Sequence, residues 1–264
     1  MDIQWVDPYA GFVYEDDLVE VSAAYQAEKL AACGIPVDAF GEHVDPSFFI
    51  GFAIHAGIKS GITAEGNINM LQALTQHRPI RLGEALVAKG CITDVKSVPR
   101  GRTLHTEVRF EDSHGEVVVT ANRVSLKPDP EKLGTHGAGE KPKPIVVDTN
   151  RLEKHETYQL TPERVKRYST EGNSIHYEQK AAEKAGFRAP LIGGGMGVHF
   201  LMAQLWSRTA PAFFHAEIYF RRPIFWDEAV TVAGSYERSS AVLALLKPEG
   251  KVGTEVAVRD LQSQ

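Results

Sequence analysis

A set of residues that recurs at one fixed spacing constrains the fold of this 264-residue chain more than any other feature. Four anchors repeat 144 positions apart. The matched pairs are Arg78 with Arg222 (each opening an Arg-Pro-Ile segment), Pro46 with Pro190, Gly51 with Gly195, and His55 with His199. Repetition at a fixed spacing is the sequence mark of a duplicated structural unit. The chain is therefore predicted to fold as two tandem copies of one unit.

A compositionally biased segment separates the two copies. Residues 127–144 are dominated by Pro, Gly and Lys and keep no apolar periodicity, which is typical of a linker. The predicted organisation is an N-terminal repeat at residues 1–126, a linker at 127–144 and a C-terminal repeat at 145–264.

Both copies show the same order of elements, a leading helix, a longer helix and then several strands. The predicted helices are Leu18–Cys33, Pro162–Thr170, about Phe49–Ile62, Gly195–Trp206 and a short one from Tyr177 to Ala185 that stops at Gly186. The clearest strands are Glu116–Leu126, Leu243–Leu246 and Val252–Val258, where apolar residues alternate. Helices grouped ahead of an antiparallel run predict an α+β fold.

Composition excludes several classes of function. A net charge of −5 without a basic cluster argues against a nucleic-acid partner. No apolar run approaches 18 residues and the first ten residues do not resemble a secretory signal, so a cytoplasmic protein without a membrane span is predicted. The two cysteines, Cys33 and Cys91, are predicted to be reduced thiols. Without a P-loop, an HExxH motif or a cysteine cluster, neither a metal nor a nucleotide cofactor is predicted.

One segment of the second copy carries the groups needed for acid–base chemistry. Glu171, Asn173 and His176 lie within six residues where a helix gives way to a loop. A carboxylate and a neutral imidazole that share one water can activate it and return a proton. The glycine-rich run Gly193–Gly197 follows, and free amides at a helix start can stabilise an oxyanion. The alternatives are a solvated helix end and glycines that serve only tight packing.

These residues resemble the hydratase 2 signature of MaoC-like, R-specific enoyl-CoA hydratases. The matching positions are Tyr168 to His176, Ala181-Ala182, Gly186-Phe187, Ala189-Pro190 and Gly194 to Met196. The sequence departs from the signature at Thr170, where Gly is usual, at Glu171, where Asp is usual, and at Ser174, where Pro is usual. The resemblance implies a double hotdog, in which each repeat wraps an antiparallel sheet around a long central helix.

The resemblance also assigns roles to the residues. It implies that Glu171 and His176 hold the water, that Asn173 orients them, and that the amide of Gly195, or alternatively of Gly194, binds the oxyanion. Met196 is expected to contact the substrate. Separately, Arg221 and Arg222 are candidates for pairing with a CoA phosphate, although a structural bridge fits equally well.

The implied reaction is reversible hydration of a trans-2-enoyl-CoA to an (R)-3-hydroxyacyl-CoA, with no cofactor beyond CoA or an acyl carrier protein. The alternatives are a hotdog thioesterase and a non-catalytic acyl-thioester binding module. The chain is expected to be a monomer or a homodimer. The first copy has Ala27, Lys29 and Ala32 where the second has its site residues, so it is predicted to shape an acyl pocket instead. Phe48, Phe49 and Phe52 are candidates for its lining, although core packing is favoured for each of them, and His55 and His199 are expected to be packing residues.

Overall fold

Ten β-strands from both halves of the chain pair into one antiparallel sheet. The computed structural model describes residues 4–132, 142–169 and 173–264. Within them the strands are β1 (Asp17–Val19), β2 (Ile68–Gln76), β3 (Leu86–Val98), β4 (Gly101–Glu111), β5 (Val117–Pro128), β6 (Glu153–Gln159), β7 (Pro211–Phe220), β8 (Ala229–Tyr236), β9 (Ala241–Leu246) and β10 (Val252–Ser263). The α-helices are α1 (Ala23–Cys33), α2 (Phe48–Lys59), α3 (Pro162–Ser169), α4 (Gln179–Lys184) and α5 (Gly194–Thr209).

The order of strands across the sheet is β1-β3-β4-β5-β2-β7-β10-β9-β8-β6. The strands of each half are therefore contiguous, and the halves meet where β2 pairs with β7, with Leu74 opposite Ala216. Read inward from either edge, the strands of each half follow one another in the same relative order. The α+β prediction is confirmed, and the interpretation as a tandem repeat stays a prediction.

The two longest helices bury their apolar side chains against this sheet. Helix α2 contacts β3 and β5, and helix α5 contacts β7, β8, β9 and β10. Phe49 of α2 is 1% exposed, and its ring centroid lies 4.9 Å from that of Phe110 on β4. Phe200 and Leu201 of α5 are wholly buried. Burial of this much apolar surface stabilises both helices far more than their intrinsic propensities do.

The predicted leading helix Leu18–Cys33 is wrong at its start. Leu18 lies in β1, which pairs with β3, and the helix begins only at Ala23. Ser22 has an extended backbone, and its hydroxyl accepts a hydrogen bond from the amide of Tyr25 at 3.2 Å, so it caps the helix. The apolar spacing that suggested helix before Ser22 belongs instead to a short edge strand.

Other predicted boundaries differ by a few residues. Helix α2 ends at Lys59 rather than Ile62. The hydroxyl of the next residue, Ser60, donates a hydrogen bond to the carbonyl of Ala56, and Gly61 adopts a left-handed φ of +88° that ends the helix. Helix α5 runs to Thr209, beyond the predicted Trp206. Thr170, the predicted last residue of the helix that begins at Pro162, lies outside the described residues.

The predicted linker is shorter than its composition indicated. Strand β5 continues through Pro128, so the first two residues of the segment 127–144 pair within the sheet. After residue 141, the amides of Ile145 and Val146 donate to the carboxylate of Glu255 at 3.1 and 2.9 Å. Both cysteines are free thiols, and Cys33 is buried whereas Cys91, also expected to be buried, is partly exposed. Of the helices in the described ranges, none is long and apolar enough to cross a membrane.

Candidate active site

A cavity of about 620 Å³ is lined by residues from both halves of the chain. The first half contributes side chains of α1, α2, β2 and β5, among them Lys29, Phe48, Asn69 and Arg123. The second half contributes the end of α3, the turn that follows it and the start of α5. This volume is in the range of small-molecule binding sites.

His176 lies in a 3-10 turn at Ser174–His176, and its side chain lines the cavity. Its Nδ1 lies 2.9 Å from the carbonyl oxygen of Leu191. Because a carbonyl only accepts, Nδ1 carries the proton, and Nε2 of the neutral ring is a free base. Burial lowers the pKa of His176, although the bond to Leu191 opposes this. The ring is therefore neutral at pH 7.

Asn173 caps the turn that carries His176. Its Oδ1 accepts a hydrogen bond from the amide of Ile175 at 3.3 Å, and the residue lines the cavity. The structure thus places Asn173 and His176 together, as the sequence predicted. Glu171, the predicted second acid–base group, lies outside the described residues, so its role stays a prediction.

The glycine-rich run forms the start of helix α5 beside His176. Gly193 precedes the helix with an extended backbone, and Gly193, Gly194 and Gly195 line the cavity. The first amides of a helix have no intrahelical acceptor, so those of Gly194 and Gly195 are available to an anion. A Cβ on Gly194 would lie 2.8 Å from the Phe220 ring, and one on Gly195 would lie 3.0 Å from the Tyr168 hydroxyl. Only glycine fits at these two positions without displacing a neighbour.

A series of hydrogen bonds next to the cavity connects the end of α3 and the middle of α5 with the segment before α2, and so joins the two halves. The Tyr168 hydroxyl lies 2.8 Å from Nε2 of His199, and Nδ1 of His199 lies 2.7 Å from Oδ2 of Asp45. Oδ1 of Asp45 accepts from both the amide and the hydroxyl of Ser47. His199 and Asp45 are wholly buried. His199 is thus a packing residue, as predicted, whereas His55 is exposed and lines the cavity.

The first half supplies polar groups to the cavity that the sequence analysis did not identify as site residues. Lys29 is 4% exposed, lines the cavity and donates from Nζ to the carbonyl of Tyr168 at 3.1 Å. Asn69 and Arg123 line the same cavity and are joined by a hydrogen bond of 2.6 Å. The sequence of β5 could have identified Arg123. Alternate residues of this strand face the core, and a cation at one of these inward positions is unusual.

Three predicted residues do not reach the cavity. Met196 is wholly buried in the core, because its side chain points away from the free helix start. The guanidinium of Arg221 is engaged within the protein, by Glu255 at 2.5 Å and by the carbonyls of residues 142 and 143 at 2.9 and 2.8 Å. Arg222 donates to the carbonyl of Val252 at 2.8 Å. Of the three predicted lining phenylalanines, Phe48 and Phe52 line the cavity and Phe49 packs in the core.

No family model and no curated protein sequence matches the chain. Among solved structures, HtdX from Mycobacterium tuberculosis superposes with a TM-score of 0.76 at 20% identity, covering 95% of this chain and 100% of that one. A MaoC-like dehydratase from Phytophthora capsici gives 0.70 at 16% identity, covering 92% and 95%. A putative oleoyl thioesterase from Lactobacillus plantarum gives 0.60 at 12% identity, covering 95% and 97%. The chain therefore has the hotdog fold of MaoC-like dehydratases.

Proposed function

We propose that the protein hydrates a trans-2-enoyl thioester to an (R)-3-hydroxyacyl thioester, and catalyses the reverse dehydration. One observation carries this proposal: the neutral imidazole of His176 and the N-terminus of helix α5 lie side by side on one cavity. The R configuration comes from the resemblance of Tyr168–His176 to the hydratase 2 signature.

In the proposed reaction, Nε2 of His176 takes a proton from water while the hydroxide adds to C3 of the enoyl group. Electrons of the C2–C3 double bond move toward the thioester carbonyl, whose oxygen becomes an enolate oxygen. The C=O double bond re-forms when C2 accepts the proton held on Nε2 of His176, which returns the neutral imidazole and completes the addition of one water. The chemistry requires no cofactor beyond the carrier thiol of the substrate, either CoA or an acyl carrier protein.

The N-terminus of α5 supplies the stabilisation that the enolate needs. The amides of Gly194 and Gly195 face the cavity without intrahelical acceptors, and the helix dipole favours negative charge there. Loss of one such donor typically costs about 10²- to 10³-fold in rate. Asn173 holds the turn of His176, and the signature implies Glu171 as the partner that holds the water.

The decisive measurement is turnover of crotonyl-CoA, followed by loss of the enoyl thioester absorbance. We expect His176→Ala to lower kcat by about 10²- to 10⁴-fold, the usual contribution of a general base. His114, an exposed residue of the β4–β5 turn, offers the matched control, and His114→Ala should retain full activity. Full hydration activity in His176→Ala would refute the assignment.

The same assay separates the other functions that the hotdog fold supports. A thioesterase attacks the thioester carbonyl and releases a free thiol, which a thiol reagent detects, while hydration leaves the thioester intact. A binding module gives neither signal, and its affinity for acyl-CoA would survive in His176→Ala. A neutral imidazole with a basic Nε2 can act as the general base that hydration or hydrolysis requires.

A further inference from the structure

Arg123 introduces a positive charge into the part of the cavity that the acyl group of a thioester would occupy. It lies on β5, whose inner face carries the buried residues Val119, Ala121 and Ser125 at alternate positions. The residue lines the main cavity and also a small adjoining cavity beside Tyr14 and Leu104. An arginine on the inner face of such a strand is costly unless a partner offsets its desolvation.

The described part of the protein supplies no carboxylate to offset that cost. Among the described residues, no carboxylate lies within ion-pair distance of Arg123, and its hydrogen bond is from Nε to the neutral amide oxygen of Asn69 at 2.6 Å. Burial lowers the pKa of Arg123 to about 10, so the guanidinium remains charged at neutral pH. Burial also raises the pKa of nearby Tyr14 to about 12, which keeps that phenol neutral.

Among the described residues, several buried polar atoms on the same strands and cavities as Arg123 have no hydrogen-bond partner. Gln72 stands opposite Arg123 in the β2–β5 register, on the same face of the sheet, and neither atom of its buried amide is hydrogen-bonded. Oδ1 of Asn67, which lines both cavities, and the hydroxyl of Ser125, which lines the small one, are equally unpaired. Buried polar groups are normally paired, so this concentration marks a site built for a polar ligand.

This polar region lies close to the reacting end of the cavity. Asn69 receives the bond from Nε of Arg123, and its Nδ2 lies 3.4 Å from the position of a Cβ on Gly194. One side chain therefore separates the guanidinium from the proposed oxyanion site. The acidic residues on the cavity, Glu20 and Glu65, are both exposed and do not pair with Arg123.

We propose that Arg123, Asn69 and Ser125 form a carboxylate subsite, in which the guanidinium fork binds an anionic group on a short acyl chain. The proposal rests on the function proposed above and names its substrate class, the monothioesters of short unsaturated dicarboxylic acids. A carboxylate fits because it accepts two parallel bonds from an arginine and restores charge balance. The anionic group would lie only a few atoms beyond the double bond.

The test compares two CoA thioesters of similar size, trans-pent-2-enedioyl-CoA with a terminal carboxylate and trans-2-hexenoyl-CoA without one. The wild-type protein should favour the dicarboxylic substrate by at least about tenfold in kcat/KM. Arg123→Met should lower kcat/KM for that substrate by about 10- to 100-fold, the range expected for losing a charged hydrogen bond, and leave hexenoyl-CoA within about threefold. Arg123→Lys should recover part of the loss.

The control is Arg109→Met, since Arg109 lies on the neighbouring strand β4, is exposed and pairs with Glu107 at 2.7 Å. It removes the same charge outside the cavity and should change neither substrate. A wild-type protein that hydrates hexenoyl-CoA as well as the dicarboxylic substrate would overturn the subsite and leave the proposed reaction intact. Equal losses on both substrates in Arg123→Met would overturn it as well.

A binding measurement tests the subsite independently of catalytic activity. Glutaryl-CoA and hexanoyl-CoA cannot be hydrated, and calorimetric titration gives their affinities directly. Tighter binding of glutaryl-CoA by about tenfold, lost in Arg123→Met, supports the subsite even where no enoyl-CoA is hydrated. Equal affinities of the wild-type protein for the two thioesters would overturn it.

Discussion

The protonation of His176 is set by one backbone carbonyl. Because Leu191 fixes the proton on Nδ1, the catalytic nitrogen Nε2 is basic whenever the ring is neutral. Nothing else in the described site needs to change with pH for this nitrogen to act. Loss of activity as the pH falls below 6.5 therefore reports on the protonation of His176.

We expect the acidic limb of kcat/KM to fall below pH 6.5, the ordinary pKa of a histidine, because burial lowers the pKa of His176. The neutral ring is the active form, so activity is full above the lowered pKa and is lost as the pH falls through it. A rate profile from pH 4.5 to 8 with crotonyl-CoA measures this. A limb centred at or above 6.5 would contradict the assignment, and the limb should vanish from any residual activity of His176→Ala.

The chain's local motifs located Asn173, His176 and the glycine-rich helix start, but they misplaced Met196, Arg221 and Arg222 and missed the first-half residues of the cavity. Asn173 and His176 are close in sequence, and the turn between them brings them to the cavity as expected. Asn69 and Arg123 reach the same cavity only because β2 pairs with β5 and the halves share one sheet. Such a contact depends on strand order and register, which short-range patterns do not encode.

At the scale of elements, the start of helix α5 limits what the site can tolerate. We expect Gly194→Ala to lower kcat for crotonyl-CoA by about 100-fold, because its Cβ would meet the Phe220 ring at 2.8 Å and shift the oxyanion donors by a fraction of an ångström or more. The overpacking should also destabilise the protein by about 1–3 kcal/mol in urea unfolding. Unchanged kcat would mean that this helix start does not touch the reacting group.

Gly51, in the first turn of helix α2, provides a comparison for stability. A Cβ there meets nothing within 4 Å. We expect Gly51→Ala to stabilise the protein by about 0.5–1 kcal/mol, as for other glycines replaced inside helices. Urea unfolding measures the change, and a loss of stability would show that this position is not the open site that the structure describes.

Element types were easier to predict than element ends. Apolar spacing located α2 and α5 because both helices bury long apolar faces. The same spacing misplaced the start of α1, where Leu18 belongs to a three-residue edge strand too short to show alternation. The true start could have been predicted from Ser22, a residue type that commonly caps helices and that here accepts a hydrogen bond from the amide of Tyr25.

At the scale of the whole molecule, polar bonds as well as the shared sheet join the halves. The Asp45–His199 bond crosses from the segment before α2 to the middle of α5, and the main chain of Asp45 is held by Gln26 at 2.8 Å. Lys29 adds a second link through the carbonyl of Tyr168. Tyr168 precedes the turn that carries His176, so the bonds that hold Tyr168 also help to position the second-half side of the cavity.

We expect Asp45→Ala to destabilise the protein by about 3–5 kcal/mol, because it leaves His199 and the Ser47 hydroxyl buried without their acceptor. Urea unfolding followed by circular dichroism measures this. Glu42→Ala is the control, since Glu42 is 83% exposed where it pairs with Arg81, and such surface pairs contribute about 0–1 kcal/mol. A loss below about 1 kcal/mol in Asp45→Ala would show that the link between the halves is carried by the β2–β7 pairing and the apolar core alone.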